Sequence, residues 1–346
     1  MMNRERWRKE ATRKLELLPL SSKNRAIFLE LFPHYFGALE RGKSSLEEGT
    51  IVLEELMEQV ANLENHPPLF SHVYQKESSP FNYHQLGLRF FAQLVNWSSS
   101  HFCGHDFVQE ISELLKRGEQ IILLSNHQTE ADPQLFFLAM QRAFGSPSFS
   151  EKIYFVGGDR ILTDPMALPF SLGCNLFTVY SKKYIANQSL QEREKKQLHN
   201  VQTMQVIRDL LCKQEGICLC LFPSGGRDRR SSKGTLLPAS LDSESLALFS
   251  LLAKRVERNV HFYPMALFTH FLLPPPEKRN REIGEQRIIS YSPIGVGVGS
   301  SLNSLFSEIE NMKEKRGKKR ELLTKGVEKA LFALYQRVSS PSTGGI

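Results

Sequence analysis

GEQIILLSNHQTEADPQLFFLAMQRAF (residues 118–144) passes from a short apolar run through a polar knot into a longer apolar stretch. QIILLS (120–125) has the length of a strand, whereas PQLFFLAMQRAF (133–144) has the length of a helix and opens on a proline, a residue suited to a first helical turn. The same strand-to-helix grammar continues outward. KIYFVG (152–157), ICLCLF (217–222), VHFYPMAL (260–267) and RIISYS (287–292) read as strands. NYHQLGLRFFAQLVNW (82–97), HDFVQEISELLKRG (105–118), VQTMQVIRDLLCKQ (201–214), SESLALFSLLAKRVE (243–257) and two segments near 301–313 and 318–338 read as helices, the second of them closing on Gly118. This alternation predicts an α/β fold with a mixed, largely parallel sheet flanked by helices.

The beginning of the chain differs. Leu53, Leu56, Met57, Val60 and Leu63 recur at helical spacing, and NRAIFLELFPHYFGALERG (24–42) is a second helix, broken or kinked near Pro33. NHPPLFSHVYQKESSP (65–80), rich in proline and serine, reads as a boundary. The expectation is a small all-helical domain over residues 1–76 and an α/β domain over 77–346. The tail SSPSTGGI (339–346) reads as disordered.

Of 346 residues, 44 are Lys or Arg and 37 Asp or Glu, a formal charge of +7. That surplus favours anionic partners without choosing among them. KRNR (278–281) and KEKRGKKR (313–320) are basic runs that read as solvated faces or as surfaces for an acidic protein or an anionic membrane. A nucleic-acid-binding protein is an alternative on charge alone, but the acidic residues dilute the charge and no nucleic-acid module is recognisable, so no nucleic-acid partner is expected. No apolar run approaches the roughly 18 residues that span a bilayer, and the glutamate-containing N-terminal segment resembles no leader. The five cysteines fit neither a zinc pattern nor a disulfide framework, and Cys218 and Cys220 read as small buried hydrophobes of one strand face. The protein is expected in the reducing cytoplasm, with peripheral membrane contact. GVGVGS (295–300) lacks the third glycine of a dinucleotide turn, and no nucleophile elbow is present.

His127 and Asp132 lie just beyond the carboxyl end of the QIILLS strand, the edge where open α/β sheets collect ligands. Asp132 before Pro133 has the form of a helix N-cap. It also suits a tight loop that brings its carboxylate onto the imidazole, fixing the tautomer and leaving the other ring nitrogen to take a proton from a hydroxyl. A carboxylate has two oxygens, so both readings stand. In FPSGGRDR (222–229), Gly225 and Gly226 permit a tight turn. Arg227 and Arg229 then point one way in an extended segment and Asp228 the other. Two guanidiniums converging there would grip a phosphate through forked, charge-assisted bonds, while a solvated basic turn is the plainer reading.

NHQTEAD (126–132) resembles the H-x-x-x-x-D motif of glycerolipid acyltransferases, and GGDRILTDPMALPFSLGCNLFTVYSKK (157–183), FPSGGRDR and YPMAL (263–267) follow in that family's order and spacing. The likeness is strongest to the soluble, plastid-type glycerol-3-phosphate acyltransferases. It covers residues 65 to 300 or so, and the helical N-terminal segment also suits them. The resemblance implies transfer of an acyl group from an acyl carrier protein or coenzyme A thioester to the C1 hydroxyl of sn-glycerol 3-phosphate, with His127 and Asp132 catalytic and no metal or cofactor. It implies Lys183, Arg227 and Arg229 as phosphate ligands. Tyr184 stands where these enzymes commonly carry a histidine, and its uncharged phenol serves either as a phosphate donor or in packing. Arg160 borders the acceptor pocket in the family, and either binds substrate or pairs with an acid. A neighbouring activity of the superfamily, acylation of 1-acylglycerol 3-phosphate, is the alternative.

Overall fold

The computed structural model describes residues 4–181, 185–186, 188–213, 215–231, 234–276 and 285–339. Lys183 and Tyr184, the KRNR segment and all of the tail after Ser339 lie outside the described residues. In chain order the strands are β1 (Val73–Tyr74), β2 (His101–Cys103), β3 (Gln120–Ser125), β4 (Ile153–Gly158), β5 (Asn175–Val179), β6 (Cys218–Leu221), β7 (Val260–Phe268) and β8 (Gly295–Val298). They form one sheet in the order β1-β5-β4-β6-β3-β7-β8-β2. The five central strands run parallel, β1 and β8 pair antiparallel with β5 and β7, and β2 runs parallel to β8. The mixed, largely parallel sheet expected from the sequence is the one found.

The unbroken apolar run of β3 has a physical cause, because both faces of the sheet are covered. Ile121 and Leu123 enter one hydrophobic core, Ile122 and Leu124 the other. Cys218 and Cys220 of β6 join the first core and Leu219 and Leu221 the second. The two thiols are buried as read, and burial pushes both well up from the usual thiol range. The late helices α11 (Asn303–Asn311) and α12 (Arg316–Ser339) follow β8, after α9 (Leu190–Leu211) and α10 (Ser243–Ala253).

The N-terminal helices are α1 (Arg4–Leu17), α2 (Ser22–Gly42) and α3 (Leu46–Asn65). Helix α2 is continuous through Pro33, against the expected break. The carbonyl deprived of its donor there belongs to Leu29, on the exposed side of the helix, where water can replace the lost bond. These helices share a core with α4 (Tyr83–Ala92): Tyr35 stacks on Phe90 at 4.9 Å and Glu55 pairs with Arg89 at 2.8 Å. Val73 and Tyr74, ahead of residue 76, already belong to the sheet.

RIISYS is not a strand. Ser290 N donates to Leu272 and Ser292 N to Leu94, so its backbone is shared between two segments rather than paired along one. β1, β2, β5 and β8 escaped the sequence reading, being short or, in β8, alternating with glycine.

Registers align the ends of β3 and β6, with Leu124 opposite Leu221, and Ser125 opposes Met265 of β7, which continues to Phe268. The segments that leave β3, β6 and β7 therefore meet at this carboxyl edge.

Candidate active site

His127 emerges two residues beyond β3, and Asp132 opens helix α6 (Asp132–Arg142). His127 Nδ1 lies 2.8 Å from Asp132 Oδ2. A carboxylate only accepts, so Nδ1 is the donor, and in the neutral ring Nε2 keeps its lone pair. Asp132 is fully buried, while the His127 side chain is 21% exposed. The same Oδ2 accepts from the backbone N–H groups of Gln128 (2.7 Å) and Thr129 (3.2 Å), and Oδ1 accepts from the Thr269 hydroxyl. The N-cap expectation is corrected by this pattern. The carboxylate reaches back into the loop ahead of it rather than forward into the helix, and Ala131 stands at the cap without a side-chain bond. The ring of His127 also stacks on Phe222, with centroids 4.5 Å apart and planes at 27°. One nitrogen and one ring face are thus fixed, and the imidazole has a single orientation.

The segment after β6 packs directly against this loop. Asp228 N donates to the His127 carbonyl. The Asp228 carboxylate is buried beneath the loop and accepts from Asn126 Nδ2 (2.8 Å), Gln128 Nε2 (3.3 Å) and Ala239 N (2.8 Å). Burial outweighs these donors and raises its pKa to about 6. Asn126 clamps both backbone groups of Leu267, and the Gln128 side-chain oxygen Oε1 accepts from Thr269 N and His270 N, so β7 and the residues just past it support the loop from its other side.

Arg227 and Arg229 flank the buried Asp228 in sequence and are themselves only partly buried. Arg227 forms an ion pair with Glu285. Arg229 donates to the carbonyls of Pro276 (3.3 Å) and Arg227 (3.2 Å). Arg160 opens the short helix α7 (Arg160–Thr163), and its carbonyl accepts from Asp164 N at 3.0 Å. Burial raises the pKa of the neighbouring Asp159 carboxyl against the positive charges of Lys196 and Arg160. The Asp164 carboxylate pairs with Arg287 at 2.9 Å. Arg287 is buried and also binds Glu130, a residue between His127 and Asp132 in the loop. Burial alone would lower the Arg287 pKa, but Glu130 and Asp164 more than reverse that and hold it up.

The structure therefore brings His127, Asp132 and the Arg227–Arg229 segment together at one sheet edge. Phe222, Gln128, Thr269, Glu285 and Arg287 were assigned no part in the sequence reading. Gln128, Glu130 and Phe222 stand inside the quoted motifs, the one signal for each of them.

A family model described as Acyltransferase matches residues 107–267. The chain is 36% identical over 241 residues to "Glycerol-3-phosphate acyltransferase, chloroplastic" of Carthamus tinctorius, covering 69% of this chain and 51% of that protein. It is 31% identical over 323 residues to "Glycerol-3-phosphate acyltransferase ATS12, chloroplastic" of Cucurbita moschata, covering 91% and 68%. The corresponding protein of Arabidopsis thaliana is 29% identical over 314 residues, covering 90% and 67%. The chain spans between about half and two thirds of the length of these curated relatives. Residues 107–267 enclose both the His127–Asp132 loop and the Arg227–Arg229 segment, and on this evidence the chain belongs to the acyltransferase family that includes the chloroplastic glycerol-3-phosphate acyltransferases.

Proposed function

We propose that the protein transfers a fatty acyl group from an acyl thioester to the C1 hydroxyl of sn-glycerol 3-phosphate. Arg227, Arg229 and Lys183 hold the phosphate, with Tyr184 and Arg160 at its margin. His127, oriented by Asp132, removes the hydroxyl proton through Nε2 as the oxygen attacks the thioester carbon. The tetrahedral oxyanion collapses, the carbon–sulfur bond breaks, and His127 returns the proton to the departing thiolate. The products are 1-acylglycerol 3-phosphate and the free thiol of the carrier. The carrier is an acyl carrier protein or coenzyme A, and the basic surfaces suit an acidic carrier or an anionic membrane. Among the described residues no helix is long and apolar enough to cross a membrane.

The observation that carries this reading is the His127 Nδ1–Asp132 Oδ2 bond of 2.8 Å beside a partly exposed ring. Its test is formation of lysophosphatidate from glycerol 3-phosphate with each donor side by side, and with 1-acylglycerol 3-phosphate as a competing acceptor. His127→Ala should lower kcat by about 10²–10⁴-fold, the usual worth of a positioned base. Arg227→Ala should act mainly through KM for glycerol 3-phosphate. Full activity of His127→Ala would refute the mechanism, and preference for the acylated acceptor would move the chain to the neighbouring activity.

A further inference from the structure

The ion pair between Arg227 and Glu285 joins a residue of the GRDR turn to one 58 positions later. The Glu285 side chain is 10% exposed and that of Arg227 17%, so the contact is shielded from water and salt. The segment holding Glu285 is anchored two residues on. Arg287 binds Glu130 and Asp164, and its guanidinium donates to the Glu285 backbone carbonyl at 2.9 Å. Anchoring at Arg287 sets the Glu285 carboxylate against the guanidinium that the phosphate reading needs. Three carboxylates (Glu130, Asp164, Glu285) meet two guanidiniums (Arg227, Arg287) in this network. An anion approaching Arg227 therefore meets a guanidinium whose fork is already occupied by the Glu285 carboxylate.

We propose that Glu285 is a specificity-determining residue: its carboxylate is the resident counter-anion of the phosphate site, and the acceptor must carry enough charge to displace it from Arg227. The proposal rests on the assignment of Arg227 to the acceptor phosphate. A phosphate monoester is a dianion above its second pKa of about 6, with three acceptor oxygens, and competes for a guanidinium better than a single carboxylate does. A singly charged anion of the same shape does not. The device rejects uncharged and monoanionic alcohols before they reach His127.

The test uses the full chain and calorimetric titration at pH 8 with methyl phosphate and with the isosteric monoanion methyl sulfate. The unmodified protein should bind methyl phosphate and show at least about tenfold weaker binding of methyl sulfate. Glu285→Gln should tighten methyl phosphate by about tenfold and admit methyl sulfate, since the amide still accepts a hydrogen bond but carries no charge. Glu285→Asp, which keeps the charge, should retain the discrimination. A merely structural role would make both variants bind worse alike, and that result overturns the proposal, as does unchanged discrimination in Glu285→Gln. Arg227→Ala separates the two levels. If it loses methyl phosphate while Glu285→Gln behaves as the unmodified chain, the gate falls and the phosphate site stands. If it binds methyl phosphate normally, the phosphate assignment falls and the gate with it.

Discussion

The hydroxyl of Thr269 donates to Oδ1 of Asp132, the oxygen that His127 does not use. Thr269 lies just past the end of β7, 137 residues from Asp132, so the acid partner of the imidazole is held by a neighbouring strand as well as by its own loop. Replacing Thr269 by Val keeps the shape and deletes one of four donors to a buried carboxylate. Asp132 would then be free to turn about the remaining bonds, and the imidazole with it. The expected outcome is a fall in kcat of about tenfold with KM for glycerol 3-phosphate unchanged, restored largely by Thr269→Ser. Steady-state kinetics of the two variants check it, and an unchanged kcat in Thr269→Val would show that the loop alone suffices.

Asp228 gives the fold a pH dependence whose sign can be worked out. Burial raises its folded-state pKa to about 6, above the ordinary carboxyl value that it regains on unfolding. Between those two values the native state holds the proton and the unfolded state does not. Stability through this group therefore falls as pH rises from about 4 to 6 and is flat above, by a total on the order of 3 kcal/mol. Asp228→Asn removes the titration. It also turns an amide towards either Ala239 N or the Asn126 and Gln128 donors, at a cost of about 1–3 kcal/mol. Urea unfolding at a series of pH values should show the unmodified protein gaining on the variant as pH drops from 7 to 4. A constant difference would mean that Asp228 is not protonated in that window.

Legibility in the sequence followed contact distance. The His127–Asp132 pair spans five residues within one loop, and the alternation of Arg227, Asp228 and Arg229 needs only an extended backbone, so both could be read locally. QIILLS betrayed itself because two covered faces demand an unbroken apolar run. Arg287 was invisible. Its partners Glu130 and Asp164 lie 157 and 123 residues away, and it sits in RIISYS, where local pattern suggested a strand. β8 was masked for a related reason, since its glycines answer to a helix that follows much later.

That reason is testable at Gly295. A Cβ there would meet the Val338 carbonyl oxygen of α12 at 2.3 Å, backbone against backbone, with no flexible side chain to yield. Gly295 and Gly297 serve a close approach of helix to strand. Gly295→Ala should destabilise the fold by about 1–3 kcal/mol, the usual cost of overpacking. A lowered midpoint in thermal or urea unfolding is the readout, and catalysis at temperatures well below the transition should be little changed, because β8 lies outside the His127 loop.

The heaviest loss of stability is expected at Arg287. Its guanidinium is the partner of both Glu130 and Asp164, whose side chains are each 13% exposed. Removing one member of such a network leaves charges in a poorly solvated place, which typically costs about 3–5 kcal/mol, more than the network contributes over an apolar replacement of all three. Arg287→Met should therefore unfold at markedly lower urea concentration. The triple variant Glu130→Gln, Asp164→Asn, Arg287→Met should recover much of the loss, since both carboxylates that Arg287 serves are replaced by neutral amides. Arg287→Lys supplies a charge but not the planar fork that reaches Glu130, Asp164 and the Glu285 carbonyl together, and should fall between the two. If the triple variant is no more stable than Arg287→Met, the destabilisation comes from lost packing of the arginine stem and not from stranded charge.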